Sequence, residues 1–259
     1  MLALGAFAGL AAGLLGIGGG MLMVPFMSML LDRIGFPHDE VVKVAIATSL
    51  TTIVFTSVSS VRAHHARGAV RWDVVRALAP GILAGSLVAA QLAHAVPGRA
   101  LAAFFGLFIG WSALKMITGR PASPGGSLPG ATGMAAAGCA IGALSALLGA
   151  GGAFVTVPFL VRRDVPMISA VASSAACGFP IALAGAVGYA WAGRHLDLPS
   201  GTIGYVYLPA LACIAAASVT TAPIGARLAH ALPARTLRRI FAGLLAALAV
   251  YMLSRALRG

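Results

Sequence analysis

GLLGIGGGMLMVPFM at residues 13–27 returns as ALLGAGGAFVTVPFL at 146–160, with eight of fifteen positions identical. Each copy is an apolar run broken by clustered glycines and resumed just before a Val-Pro-Phe. A glycine cluster lets a helix unwind. Apolar segments interrupted at corresponding places in two halves of a chain point to a membrane transport site.

Working outward, eight apolar elements can be marked, at 2–31, 41–61, 74–96, 99–118, 131–161, 167–191, 203–231 and 235–256. GRPASPGGSLPG at 119–130 reads as a linker without secondary structure of its own, and divides the chain into repeats of four elements at 1–118 and 131–259. Two further matches keep the same order: AIATSL at 45–50 with AVASSA at 170–175, and LAHAVPGRAL at 92–101 with LAHALPARTL at 228–237. Duplication of one ancestral unit explains three ordered matches better than chance resemblance in Ala/Gly-rich sequence.

Composition sets the class. The 259 residues are 59% hydrophobic and 9% charged, with mean hydropathy +0.95. Soluble chains carry roughly 25% charged residues, so the expectation is an all-α, polytopic integral membrane protein without a soluble domain. The net charge of +12 comes from 18 Lys and Arg against six acids, and in a soluble protein would suggest nucleic acid. Here the basic residues sit between apolar segments, as membrane loops place them, and no nucleic-acid partner is expected. Cys139, Cys177 and Cys213 lie within apolar stretches with no CxxC spacing, and read as packing residues. The N-terminus lacks the basic region of a signal peptide and reads as mature structure.

The first element of each repeat is unusual. Residues 2–16 would span about 22 Å as a helix and 20–31 about 18 Å, each short of a hydrocarbon core of roughly 30 Å. Such an element is either a broken crossing or a re-entrant hairpin. If both elements cross, Lys and Arg divide nine to nine between the two sides. If both are re-entrant, the repeats are inverted and the division is twelve to six, with Arg33, Lys43, Arg99, Arg194, Arg255 and Arg258 on the poorer side. The positive-inside tendency favours the inverted arrangement, with loop 62–72 and the linker cytoplasmic.

The acids Asp32, Asp39, Glu40, Asp73, Asp164 and Asp197 all fall between apolar elements or at their edges. Proton relays and many cation sites place carboxylates at membrane depth, and membrane proteases need paired acids or HExxH. The pattern therefore argues against a cation carrier and against an enzyme, and no catalytic residue, metal or cofactor is expected. What remains for a polar substrate is unwound backbone at Gly16, Gly18, Gly19 and Gly20 and at Gly149, Gly151 and Gly152. Freed N–H groups and a helix N-terminus there would favour an anion. Pro25 and Pro158 would kink the second arm of each element. Thr48, Ser49 and Thr52, with Ser173 and Ser174 at the matching place in the other repeat, could donate to the anion, or simply bond their own helices. Gly5/Gly9/Gly13, Gly81/Gly85 and Gly106/Gly110 read instead as helix-packing ladders. His64 and His65 sit in a basic loop without companion ligands, His94 and His230 precede turns at Pro97 and Pro233, and Trp72, Trp111 and Trp191 fall near span ends.

The glycine motif, the AxA[TS]S motif and the HHARGAV loop at 64–70 resemble the sulfite exporter TauE/SafE family, also called the toluenesulfonate uptake permease family. The resemblance covers nearly the whole chain. The second copy departs from the first with Ala153 in place of Gly20 and Ala150 in place of Ile17. The resemblance implies a multi-pass carrier of sulfur-containing anions such as sulfite or sulfonates in the bacterial inner membrane, with the lipid bilayer and a small anion as its partners. It does not choose the anion, the direction, the coupling ion or whether the chain is a homo-oligomer. An anion channel, a carrier of a non-sulfur organic anion and a non-transporting scaffold are the other readings. Saturating counterflow separates a carrier from a channel, and anion binding by purified protein counts against a scaffold.

Overall fold

The computed structural model describes residues 6, 20–118, 125–231 and 234–258, with side chains for all of these except 219, 222–231, 234–241 and 258. Gly16, Gly18 and Gly19, the arm that precedes them and the Gly5/Gly9/Gly13 ladder lie outside the described residues. The described elements are α1 (Gly20–Arg33), α2 (His38–His65), α3 (Trp72–Ala95), α4 (Gly98–Thr118), α5 (Ala131–Leu147), α6 (Ala153–Val161), α7 (Met167–Ala192), a short hairpin of β1 (Thr202–Ile203) and β2 (Val206–Tyr207), α8 (Leu208–Ala231) and α9 (Ala234–Arg258). Helices α2, α3, α4 and α7 are each long and apolar enough to cross a membrane.

The expected apolar element at 203–231 differs at its start. Residues 202–207 pair as an antiparallel hairpin, Thr202 with Tyr207 and Ile203 with Val206, and the helix begins only at Leu208. Ser-Gly-Thr-Ile-Gly at 200–204 punctuates the chain, and β-branched and aromatic residues beside it suit strands better than a helix start.

The molecule is apolar outside as well as inside. Leu83, Leu87, Leu92, Leu107, Leu114, Ile117, Leu183 and Val187 are exposed on α3, α4 and α7, as lipid-facing side chains would be. Trp72, Trp111 and Trp191 are exposed near helix ends. Helix α2 is the central element: 72% of its most apolar stretch is buried, against 39% for α4. A helix that is apolar all round belongs inside the bundle.

Close packing fixes the helix directions. A Cβ on Gly81 would overlap the Ala135 carbonyl and one on Gly85 the Cys139 carbonyl, while Gly138 and Gly142 meet the carbonyls of Leu78 and Ile82. Helices α3 and α5 therefore run parallel, joined through small residues along both faces. Gly106 meets Leu253, and Gly110 meets Ala249 at 3.6 Å, so α4 and α9 run antiparallel. Leu50 fills the space over Gly185, while Ile53 and Gly178 both border Gly151, so α2 and α7 are antiparallel too.

These directions define two ends. The Trp72 end collects the C-terminus of α2 and the N-termini of α3, α5 and α7. The C-terminus of α6 returns to it, because Arg163 donates to Ser127 O at 3.0 Å in the segment entering α5. Helices α5 and α6 are thus the two arms of a hairpin whose break lies level with the middle of α2 and α7. At 17 and 9 residues, or about 26 and 14 Å, neither arm matches a hydrocarbon core.

The His94 end collects Arg33, His38, Ala95 and Gly98, and two polar clusters close it. Arg255 is buried and pairs with Asp32, and it also donates to His38 O at 3.1 Å, tying α9 to α1 and α2. Lys43, buried on α2, lies 3.2 Å from the Glu40 carboxylate and donates to His94 O at 3.1 Å. The Tyr205 hydroxyl meets His94 Nδ1 at 2.9 Å. Burial, and then the nearby Glu40 carboxylate, push this hydroxyl far above the usual phenol range, so it keeps its proton. The sequence reading treated Lys43 and Arg255 as loop charges; both are interior struts.

The turn from α1 to α2 has a close counterpart between α6 and α7. Gly35 (φ +85°) and Asp164 (φ +59°) both leave a helix in the left-handed region. Phe36 N–H then reaches back to Leu31 O, and Val165 N–H to Leu160 O, both at 3.2 Å. Pro37 and Pro166 next cap the following helices. This is the glycine-type helix stop with a buried apolar residue just beyond it.

Candidate functional site

The break between α5 and α6 is built by backbone conformation. Helix α5 ends when Ala150 N–H turns back to Ser145 O at 3.1 Å. Gly149 (φ +58°) and Gly152 (φ +79°) then both take left-handed conformations, which side-chain-bearing residues adopt at a cost. Gly152 starts α6, and its carbonyl accepts from Val155 and Thr156 N–H at 3.1 and 2.9 Å. No side chain among the described residues caps this N-terminus. Among the described residues, no backbone carbonyl accepts the N–H groups of Gly151, Gly152, Ala153 or Phe154. An N-terminus with free donors carries partial positive charge and suits an anion.

The two glycine clusters come together as far as the first is described. A Cβ on Gly20 would stand 2.6 Å from Gly149 O and 3.0 Å from Ala150 Cα, so only a glycine lets α1 approach the second break this closely. Gly151 is buried, yet among the described residues a Cβ there would touch only Ile53 Cγ2, at 3.7 Å. Room therefore exists beside Gly151 and not beside Gly20. Gly178 of α7 closes the other side, its Cβ position 3.3 Å from Gly151 O.

The expected hydroxyls divide by role. Ser49 is fully buried and donates to Gly149 O at 2.9 Å, so its proton holds the break in place. Thr52 donates to Thr48 O at 2.9 Å within its own helix. Thr48 Oγ1 accepts Tyr207 N–H at 3.0 Å, and Ser173 Oγ accepts Arg71 N–H at the same distance. No acceptor among the described residues takes either hydroxyl proton. Ser174 is fully buried, and its hydroxyl has no partner among the described residues. Pro25 lies inside α1, where its carbonyl accepts from Ser28 Oγ at 2.8 Å, and Pro158 lies inside α6.

Two further hydroxyls border the break that the sequence reading did not single out. Ser145 Oγ and Thr156 Oγ1 would stand 3.0 and 3.5 Å from a Cβ on Gly152, and both are buried without a partner among the described residues. A signal was available. Each falls four residues from the Gly149–Gly152 break, about one helical turn away, where hydroxyls face the same space.

The ladders Gly81/Gly85 and Gly106/Gly110 act as packing devices, as their spacing suggests, and Cys177 is buried. Cys139 is exposed, but its backbone lies against Gly85. His65 Nδ1 accepts from Trp72 Nε1 at 3.1 Å, closing the basic loop on itself.

Comparison with known proteins agrees with the resemblance. A family model described as sulfite exporter TauE/SafE matches residues 1–252. A probable membrane transporter protein of Haemophilus influenzae is 34% identical over 97% of this chain and 96% of its own length. Proteins with the same description from Xylella fastidiosa and Methanocaldococcus jannaschii are 28% and 25% identical, covering 93% and 94% of those proteins. No solved structure matches this one.

Proposed function

We propose that this chain, which belongs to the sulfite exporter TauE/SafE family, is a secondary transporter of small sulfur-containing oxyanions that works by alternating access. Its relatives' names support a membrane transporter, and the family's description supports a sulfur oxyanion. The observation that carries the reading is the N-terminus of α6, held at mid-bundle with four N–H groups that no backbone carbonyl among the described residues accepts, and with room beside Gly151 among those residues. A neutral cradle of N–H and O–H donors can meet several anion oxygens at once. It also releases its substrate more readily than a buried arginine would.

The proposed mechanism takes 1–118 and 131–259 as two inverted repeats, with the α5–α6 hairpin opening the second. Four features support the inversion: antiparallel α2 and α7, the twin turns at 34–37 and 163–166, the return of α6 to the end where α5 starts, and a reciprocal pair of hydrogen bonds. In that pair, Thr48 of the first repeat accepts from Tyr207, which enters α8, while Ser173 of the second accepts from Arg71, which enters α3. Each repeat thereby grips the other at matching positions. By the same relation Gly16, Gly18 and Gly19 would supply the counterpart break. Rocking one repeat against the other about these contacts would open the site to each side in turn. The richer set of basic residues would face the cytoplasm of a bacterial inner membrane.

Solid-supported-membrane electrophysiology on proteoliposomes tests the reading. Sulfite, thiosulfate or an alkyl sulfonate should give saturable currents, and chloride and potassium should not. Absence of current with every sulfur oxyanion would overturn it.

A further inference from the structure

Ser145 and Thr156 need an explanation that the break itself does not supply. They sit either side of Gly152, two buried hydroxyls at the N-terminus of α6 without a partner among the described residues. A buried polar group left unpaired is costly, so native structures rarely keep one without a reason. Thr156 has not turned its hydroxyl to a carbonyl of its own helix, as Thr51 and Thr52 have. The first copy of the motif does without both hydroxyls: at the same offset of 133 residues it has Ala12 for Ser145 and Met23 for Thr156.

We propose that Ser145 and Thr156 set the anion preference of the site, selecting a head group with three oxygens on one centre over a carboxylate with two. The proposal deepens the anion-transport reading and rests on it. The chemistry is a count of donors. Two hydroxyls, from α5 and α6, join the N–H groups of Gly151–Phe154 there, so a flat two-oxygen group, with about four lone-pair sites, leaves at least one donor unmet. Leaving a site's donors unpaired is how binding sites reject a near-analogue. The described neighbours add only apolar contact, Ile53 beside Gly151 and Ile181 beside Gly152, so charge alone cannot discriminate here. The asymmetry also gives the bound anion a direction, with its oxygens toward the second break and its remainder toward Met23 and α1.

The test uses the purified full chain and isothermal titration with sulfite and with acetate. Combining Ser145→Ala with Thr156→Val should weaken sulfite about 100-fold, tenfold for each bond lost to a charged group, and acetate tenfold or less. Thr156→Ser keeps the hydroxyl and should bind sulfite within about threefold of the unaltered chain. Unchanged sulfite affinity in the double variant would overturn the proposal and assign the hydroxyls to bound water. Equal losses for sulfite and acetate would also overturn it. If the unaltered chain binds neither sulfite, thiosulfate nor methanesulfonate, the anion-transport reading fails and this inference fails with it.

Discussion

Gly20 and Gly151 offer a comparison that separates packing from binding. An alanine at Gly20 would press its methyl to 2.6 Å from Gly149 O and 2.8 Å from Ile53 Cδ1. Overpacking of that kind costs about 1–3 kcal/mol, because α1 must move off the break. Among the described residues an alanine at Gly151 meets only Ile53 Cγ2, at 3.7 Å, and the backbone there is outside the left-handed region. Its cost in the folded state is near zero, and loss of glycine freedom in the unfolded chain should stabilise the protein by about 0.4–1 kcal/mol. Yet the methyl would stand where the anion is proposed to lie. Displacing the anion from even one charge-assisted bond costs about 1.5–3 kcal/mol, or roughly 10- to 150-fold in affinity. Gly151→Ala should therefore melt at or slightly above the unaltered protein in detergent while its half-saturation for sulfite rises at least tenfold. Gly151→Val should abolish transport. The reasoning is refuted if Gly151→Ala transports with unchanged affinity, or if it destabilises the fold as much as Gly20→Ala.

Three other perturbations test the frame around the site. Thr48→Val and Ser173→Ala each leave one backbone N–H, of Tyr207 or of Arg71, without its acceptor. Each should cost about 1–3 kcal/mol of stability, read from thermal melts of purified protein, and a large cost in only one of them would count against the reciprocal grip. Arg255→Met removes the buried partner of Asp32 and should destabilise by about 3–5 kcal/mol. Asp32→Asn in the same background should recover part of that loss, and no recovery would mean that packing, not the ion pair, holds α9 to α1. Cysteines placed in loop 62–72 should react from the cytoplasmic side and one replacing Gly259 from the other; Gly259 in the cytoplasm would return the parallel, eight-crossing arrangement.

The glycine cluster at 149–152 was legible because its physical requirement is local. Two left-handed residues in four can be met cheaply only by glycine, whatever surrounds them. The packing ladders on α3 and α4 were legible for the same reason, since small residues at helical spacing have one main use in lipid. The roles of individual hydroxyls were not. Whether Ser49 donates to a ligand or to Gly149 O depends on a carbonyl 100 positions away, which no local pattern encodes. Lys43 and Arg255 misled because a basic residue near a span end usually faces water or headgroups. Here Glu40 and Asp32 supply the compensating charge inside the bundle. The hairpin at 202–207 was hidden by its apolar composition, which hydropathy does not distinguish from a helix start.

Counterflow in proteoliposomes tests the central claim most directly. Vesicles holding the unaltered chain are loaded with unlabelled sulfite and diluted into a trace of labelled sulfite. A carrier with one site exposed alternately to each side predicts transient accumulation of label above equilibrium, saturable by external sulfite and absent with Gly151→Val. Labelled sulfite that merely equilibrates, without overshoot or saturation, would contradict alternating access at the glycine break.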